Sequence, residues 1–185
     1  IGGLLLGMLS LAAGCATGRV VGGAYRDFDS GFQVRLPPPS WRPRSLDGAA
    51  LAFESAELRA AVVLLVECDT PEPGDLLWVA RHLFFGLEAK RIQERETLRL
   101  HDAIGVRTRL AARLDDAPVE VEGVTFRRAE CLYDFIYAAP PAAFPRGRLA
   151  FTQRIRRAAV ITVNQPRPVV GDEHHQRIFL QAELL

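Results

Sequence analysis

Three strand-like runs follow one another between Ile104 and Ala138 with only turns between them, and this order does most to limit the fold. Ile104, Val106, Thr108, Leu110, Ala112 and Leu114 alternate with Gly105, Arg107, Arg109, Ala111 and Arg113, the period of two expected of a half-buried strand. Asp115-Asp116-Ala117-Pro118 turns the chain. Val119–Phe126 returns with its alternation slipping at Gly123, which predicts a bulge. Arg127–Glu130 turns it again into the apolar run Cys131–Ala138. Connections this short join antiparallel strands; parallel ones need a long crossover.

Upstream, Phe32, Val34 and Leu36 alternate with Gln33 and Arg35 until Pro37-Pro38-Pro39 stops them, and Leu51 and Phe53 mark a further short strand. Ala60–Val66 is continuously apolar, as in an interior strand covered on both faces. After Pro71-Glu72-Pro73-Gly74, Asp75 is placed to cap a helix. Leu76, Ala80, Leu83, Phe84 and Leu87 recur at helical spacing, predicting about 15 helical residues. A second helix is expected from about Arg146 to Ala159, facing inward with Phe151, Ile155 and Ala158. A block of antiparallel strands between two helices is an α+β order, not the βαβ alternation of a nucleotide-binding sheet.

The first fifteen residues, IGGLLLGMLSLAAGC, contain no charged side chain. The stretch is too short to span a bilayer and fits the hydrophobic region of a secretory signal. A positively charged leader is expected ahead of it. Leu11-Ala12-Ala13-Gly14-Cys15 resembles the lipobox of bacterial lipoproteins, although Ala12 stands where that motif more often has Leu. The resemblance implies cleavage before Cys15, acylation of its thiol and new amino group, and, with Ala16 following, an outer-membrane destination. Stable anchoring then needs more than one acyl chain, at about 0.8 kcal/mol per buried methylene. Export leaves two other thiols, Cys68 and Cys131, each at the end of an apolar run. They are either a disulfide or two unbridged buried cysteines, and an even number in an oxidising compartment favours the disulfide.

The succession GFQVRLP…W, LAF, a Val/Leu strand, RHLFFGL, a hairpin and CLYDFIYAAPPAAF resembles small envelope lipoproteins with a PsbP-like domain. The resemblance covers about Gly31 to Arg157. It implies an α/β/α sandwich, a central antiparallel sheet covered by helices on both faces. Its motifs concern packing and turns, so it assigns no catalytic residue and implies binding or assembly. The expected organisation is a signal segment at 1–15, a Gly-rich tether at 16–29, an α+β domain at 30–159 and a tail at 160–185.

Chemistry is sparse. Glycine-rich phosphate loops, H-E-x-x-H, G-x-S-x-G and EF-hand spacing are all missing. With 23 basic and 22 acidic residues the net charge is +1, too weak a field to recruit nucleic acid. No cofactor or metal site is expected; His174-His175 is a local pair whose adjacent side chains diverge. Asp134, between Tyr133 and Phe135, reads as a structural carboxylate bonded to Arg or to a neighbouring strand, since no catalytic partner is identifiable. Arg154, Arg156 and Arg157 read as a solvated helix face that could meet anionic head groups. Trp78, His82 and Phe85 form a second stripe on the first helix, which either widens its buried face or offers a patch for a partner. The sequence therefore predicts a lipid-anchored, non-catalytic periplasmic factor that binds or assembles an envelope protein at the outer membrane. The alternative is a carrier holding a small apolar ligand or lipid between sheet and helices.

Overall fold

A computed structural model describes residues 18–27, 31–68, 74–100, 103–128, 130–156 and 159–160. In chain order the strands begin with β1 (Gly18–Val21), β2 (Ala24–Asp27), β3 (Phe32–Arg35), β4 (Arg42–Pro43), β5 (Ala49–Ser55) and β6 (Ala60–Cys68). Helix α1 (Leu76–His82) is followed by β7 (Glu88–Leu100), β8 (Ala103–Leu114), β9 (Ala117–Arg128) and β10 (Cys131–Ala139). Helix α2 (Phe144–Arg156) and β11 (Ala159–Val160) complete the order. One antiparallel sheet has seven strands in the order β4-β5-β6-β10-β9-β8-β7; the other has four, β1-β2-β3-β11.

The centre of the larger sheet is β10, in which every residue from Cys131 to Tyr137 is buried. Alternation sorts its side chains onto two cores. Tyr133, Phe135 and Tyr137 join Leu64, Val124 and Phe126, and are covered by Phe32 and Val34 of the small sheet and by Phe151 and Ile155 of α2. Ile136 on the opposite face joins Val63, Leu110 and Val121, and is covered by Phe84 and Leu87 after α1. Aromatic rings bind the two sheets together: the Phe32 and Tyr133 centroids lie 4.6 Å apart, and Phe126 stacks on Tyr133 at 5.1 Å.

This architecture corrects the expected α/β/α sandwich. Strands dominate, a second sheet shares one face of the first, and helices of seven and thirteen residues are too short to cover seven strands. The first helix is half its predicted length for a related reason. Asp75 caps it as expected, its Oδ1 accepting from the Leu77 amide at 3.0 Å, but the helix ends at His82. The chain then turns through Gly86, at φ +92°, so that Phe84 and Leu87 drop onto the sheet without being helical.

Residues 18–27, read as tether, are a hairpin. Gly22 and Gly23 both have positive φ (60° and 73°) between β1 and β2, the two-residue turn whose twist suits a hairpin. Asp115 and Asp116 make the same kind of turn, with φ of 46° and 65°, between β8 and β9. The bulge expected at Gly123 is absent; it pairs in register with Thr108 and Ile136. Gly is there for space, since a Cβ would lie 2.6 Å from Phe84 Cζ and 2.8 Å from Leu83 Cδ2.

The long strand β7 has no counterpart in the sequence reading. It is the outer strand beside β8, mostly exposed, rich in Glu and Arg, and irregular in register at two points. Charge and bulges of this kind discourage edge-to-edge pairing with another chain.

Two stability measurements follow from this packing. Gly123→Ala should cost about 1–3 kcal/mol through overpacking against Phe84, read as a lower urea midpoint with unchanged slope. Cys68 and Cys131 face each other in the β6–β10 register and form a disulfide across a separation of 63 residues. Its reduction should lower unfolding free energy by about 4 kcal/mol in the chain-entropy model, measured by denaturation with and without a phosphine.

Candidate functional site

The stripe on α1 faces outward. Trp78 and Phe85 are 53% and 63% exposed, which excludes a wide buried helix face. Val79 and Ala80 of the helix and Phe84 of the following turn are buried against the sheet, so the sequence neighbours of the exposed rings fix them in place. The Trp78 and His82 rings lie with centroids 4.0 Å apart, tilted by 38°. His82 Nδ1 donates to the Trp78 carbonyl oxygen at 2.8 Å, which orients the imidazole over the helix. Trp78, His82 and Phe85 thus stand exposed at the end of a short helix and in the turn after it, with His82 packed on Trp78. Such amphipathic rings supply contact area at little entropic cost.

A second feature is an apolar cleft of about 40 Å³ between β3, β5 and α2. Val34, Trp41, Phe53, Phe151 and Ile155 line it, and Arg154 stands at its wall. Burial holds the Arg154 guanidinium below its ordinary pKa. Arg154 is therefore only partly the solvated cation expected from sequence; the side chains of Arg156 and Arg157 lie outside the described residues. Cys15 and His174-His175 lie outside them as well.

The polar cluster under α2 was not foreseen. Glu122 of β9 is fully buried, and its Oε2 accepts from Arg148 Nε at 2.6 Å while its Oε1 accepts from Thr152 Oγ1 at 3.0 Å. Arg148 Nη2 also donates to Glu94 Oε2 at 3.3 Å, and Arg107 bridges Glu94 and Glu96. Both Glu122 oxygens are engaged, so the cluster fastens α2 to β9. Asp134, 9% exposed, accepts from Thr125 Oγ1 on the neighbouring strand, the structural role its sequence position implied.

Desolvation raises the Glu94 pKa, but the charge and hydrogen bond of Arg107, with the charges of Arg148 and Arg109, outweigh it and hold the carboxyl below its ordinary value. A carboxylate with a depressed folded pKa stabilises the native state above its unfolded pKa and loses that contribution as pH falls through the folded one. Urea midpoints taken from neutral pH to about pH 3 should show this loss below the usual carboxylate range. Glu94→Gln should be less stable at neutral pH and lack that part of the acid slope.

By sequence, no family model and no curated protein matches the chain. Similarity to solved structures is a likeness of fold. The solution structure of cyanobacterial PsbP (CyanoP) from Synechocystis sp. PCC 6803 aligns with a TM-score of 0.60 at 12% identity, covering 84% of this chain and 98% of that one. A crystal structure from Bacteroides thetaiotaomicron VPI-5482 aligns at 0.52 with 7% identity, covering 75% of this chain and 48% of that one. PA94 from Pseudomonas aeruginosa, described as of unknown function, aligns at 0.49 with 16% identity over 74% of this chain and 92% of its own. The fold is PsbP-like in this sense, as the sequence motifs implied.

Proposed function

We propose that the protein is a non-catalytic binding or assembly factor of the bacterial envelope, held at the periplasmic face of the outer membrane by acyl chains on Cys15. The observation that carries the binding half is the exposed aromatic surface of Trp78 and Phe85, with His82 packed on Trp78. Aromatic side chains mounted on a rigid frame are the residue class that dominates interface energetics. The anchoring half rests on the lipobox resemblance of Leu11–Cys15. No helix among the described residues is long and apolar enough to cross a membrane.

The carrier reading draws on the cleft beside α2. At about 40 Å³ that cleft accommodates a group the size of a side chain, whereas ligand sites run to about 300–1,000 Å³. A lipid would require α2 to carry Phe151 and Ile155 away from the strands that face them across the cleft, so the binding-factor reading is preferred.

The test uses the chain expressed with a complete leader. Cys15→Ser should leave the membrane fraction, and retention there would sink the anchor. Trp78→Ala with Phe85→Ala should keep the circular dichroism spectrum and weaken capture of an envelope partner by about 2 kcal/mol or more, read by mild cross-linking in intact envelopes. Undiminished capture by the folded double variant would remove the aromatic surface from the interface.

A further inference from the structure

Asp27 is the fully buried last residue of β2, and its carboxylate lies beside the disulfide of the other sheet. One carboxylate oxygen of Asp27 and the two sulfurs of Cys68 and Cys131 all lie within 4.8 Å of one another. Tyr133 Oη donates to Asp27 Oδ2 at 2.7 Å, so the carboxylate is oriented from β10, the strand that carries Cys131. While the sulfurs are bonded to each other the group offers no thiolate.

We propose that reduction of this disulfide creates a metal site in which Asp27, Cys68 and Cys131 hold one Zn(II). Reduction breaks the S–S bond. Two electrons and two protons from a dithiol reductant give two thiols, and the reductant becomes a disulfide. Metal binding then releases both thiol protons, leaving two thiolates and a carboxylate as ligands and a fourth position for solvent. Tetrahedral zinc places its ligand atoms about 3.5–4 Å apart, given bonds of about 2.0–2.3 Å. The observed cluster needs the sulfurs to separate to that spacing and the carboxylate to close by less than the width of an atom. Thiolates select a soft or borderline cation over Mg²⁺ or Ca²⁺. The Tyr133 hydroxyl supplies the outer-shell hydrogen bond that typically fixes a ligating carboxylate. Access is from the Cys68 side, since Asp27 and Cys131 are buried and Cys68 is half-buried. The metal would join the two sheets, whereas the disulfide joins two strands of one sheet.

The inference is independent of the anchor and of the aromatic surface. Its test uses the whole chain with Cys15→Ser, so that two thiols remain. The protein is reduced with a phosphine without oxygen and titrated with Co(II), read by absorption and circular dichroism. The expected result is one Co(II) per chain with a thiolate charge-transfer band, displaced by Zn(II) and absent from the oxidised protein. Zn(II) should also raise the melting temperature of the reduced chain. Asp27→Asn should weaken Co(II) binding by at least about tenfold, the loss that removal of an outer-shell partner alone can bring. X-ray absorption of the zinc-loaded chain reads the ligands without any variant: two sulfurs at about 2.3 Å and oxygen at about 2.0–2.2 Å. A reduced chain that gives no charge-transfer band, folded or unfolded, overturns the proposal. A sulfur-only shell, or equal affinity in folded Asp27→Asn, does so too.

Discussion

The pairing of β10 with β6 and β9 is the interaction on which the rest of the structure depends. Eight register pairs run from Cys131 opposite Cys68 to Ala138 opposite Ala61, and nine more join β10 to β9. Because β10 is buried on both faces, any slip of one residue would move Tyr133, Phe135 and Tyr137 into the place of Leu132, Asp134 and Ile136. The disulfide at one end of the ladder fixes that register covalently. Everything else attaches to it: the small sheet through Phe32, α2 through Phe151, and the turn after α1 through Phe84.

The attachments differ in kind. The small sheet and the open end of β10 meet through aromatic contacts and the Asp27–Tyr133 hydrogen bond. Helix α2 adds an ion pair to its apolar contacts, because Glu122 is fully buried and would be costly there without Arg148 and Thr152. Helix α1 has no comparable polar tie among the contacts described, and is seated by Val79, Ala80 and the glycine opposite Phe84. Its short length leaves Trp78, and Phe85 in the turn after it, on the outside.

Much of this was legible where one face of a strand is apolar and the other is not. The alternation of Ile104–Leu114 gave β8, the continuous run Ala60–Val66 gave the interior strand β6, and Asp75 marked the start of α1. Strand β7 escaped because its two faces are both largely polar: Glu94 and Glu96 meet arginines on one side, while Arg95 reaches Thr108 on the other. The four-stranded sheet escaped because Gly22 and Gly23 read equally as a flexible linker or as a turn requiring positive φ. Apolar spacing through Leu87 resembled more helix because a turn can seat Phe84 and Leu87 as a helix would. At the site level, the pairing of Cys68 with Cys131 followed from counting, whereas the spacing of Trp78, His82 and Phe85 marked a stripe without deciding whether it was buried or exposed. Asp27 and Glu122 did not stand out, because their partners lie 106 and 26 residues away along the chain.

If Cys15 carries the proposed acyl chains, the glycine hairpin changes how the domain would sit on a membrane. With 16–29 as a loose leash, the domain would sweep a hemisphere of some tens of ångströms. Strand β1 instead begins at Gly18, three residues after Cys15. Three residues span at most about 10 Å, so an acylated Cys15 would hold the four-stranded sheet against the lipid head groups. The domain would then stand like a plaque fixed at its rim, and a partner would have to come to it within the plane of the bilayer.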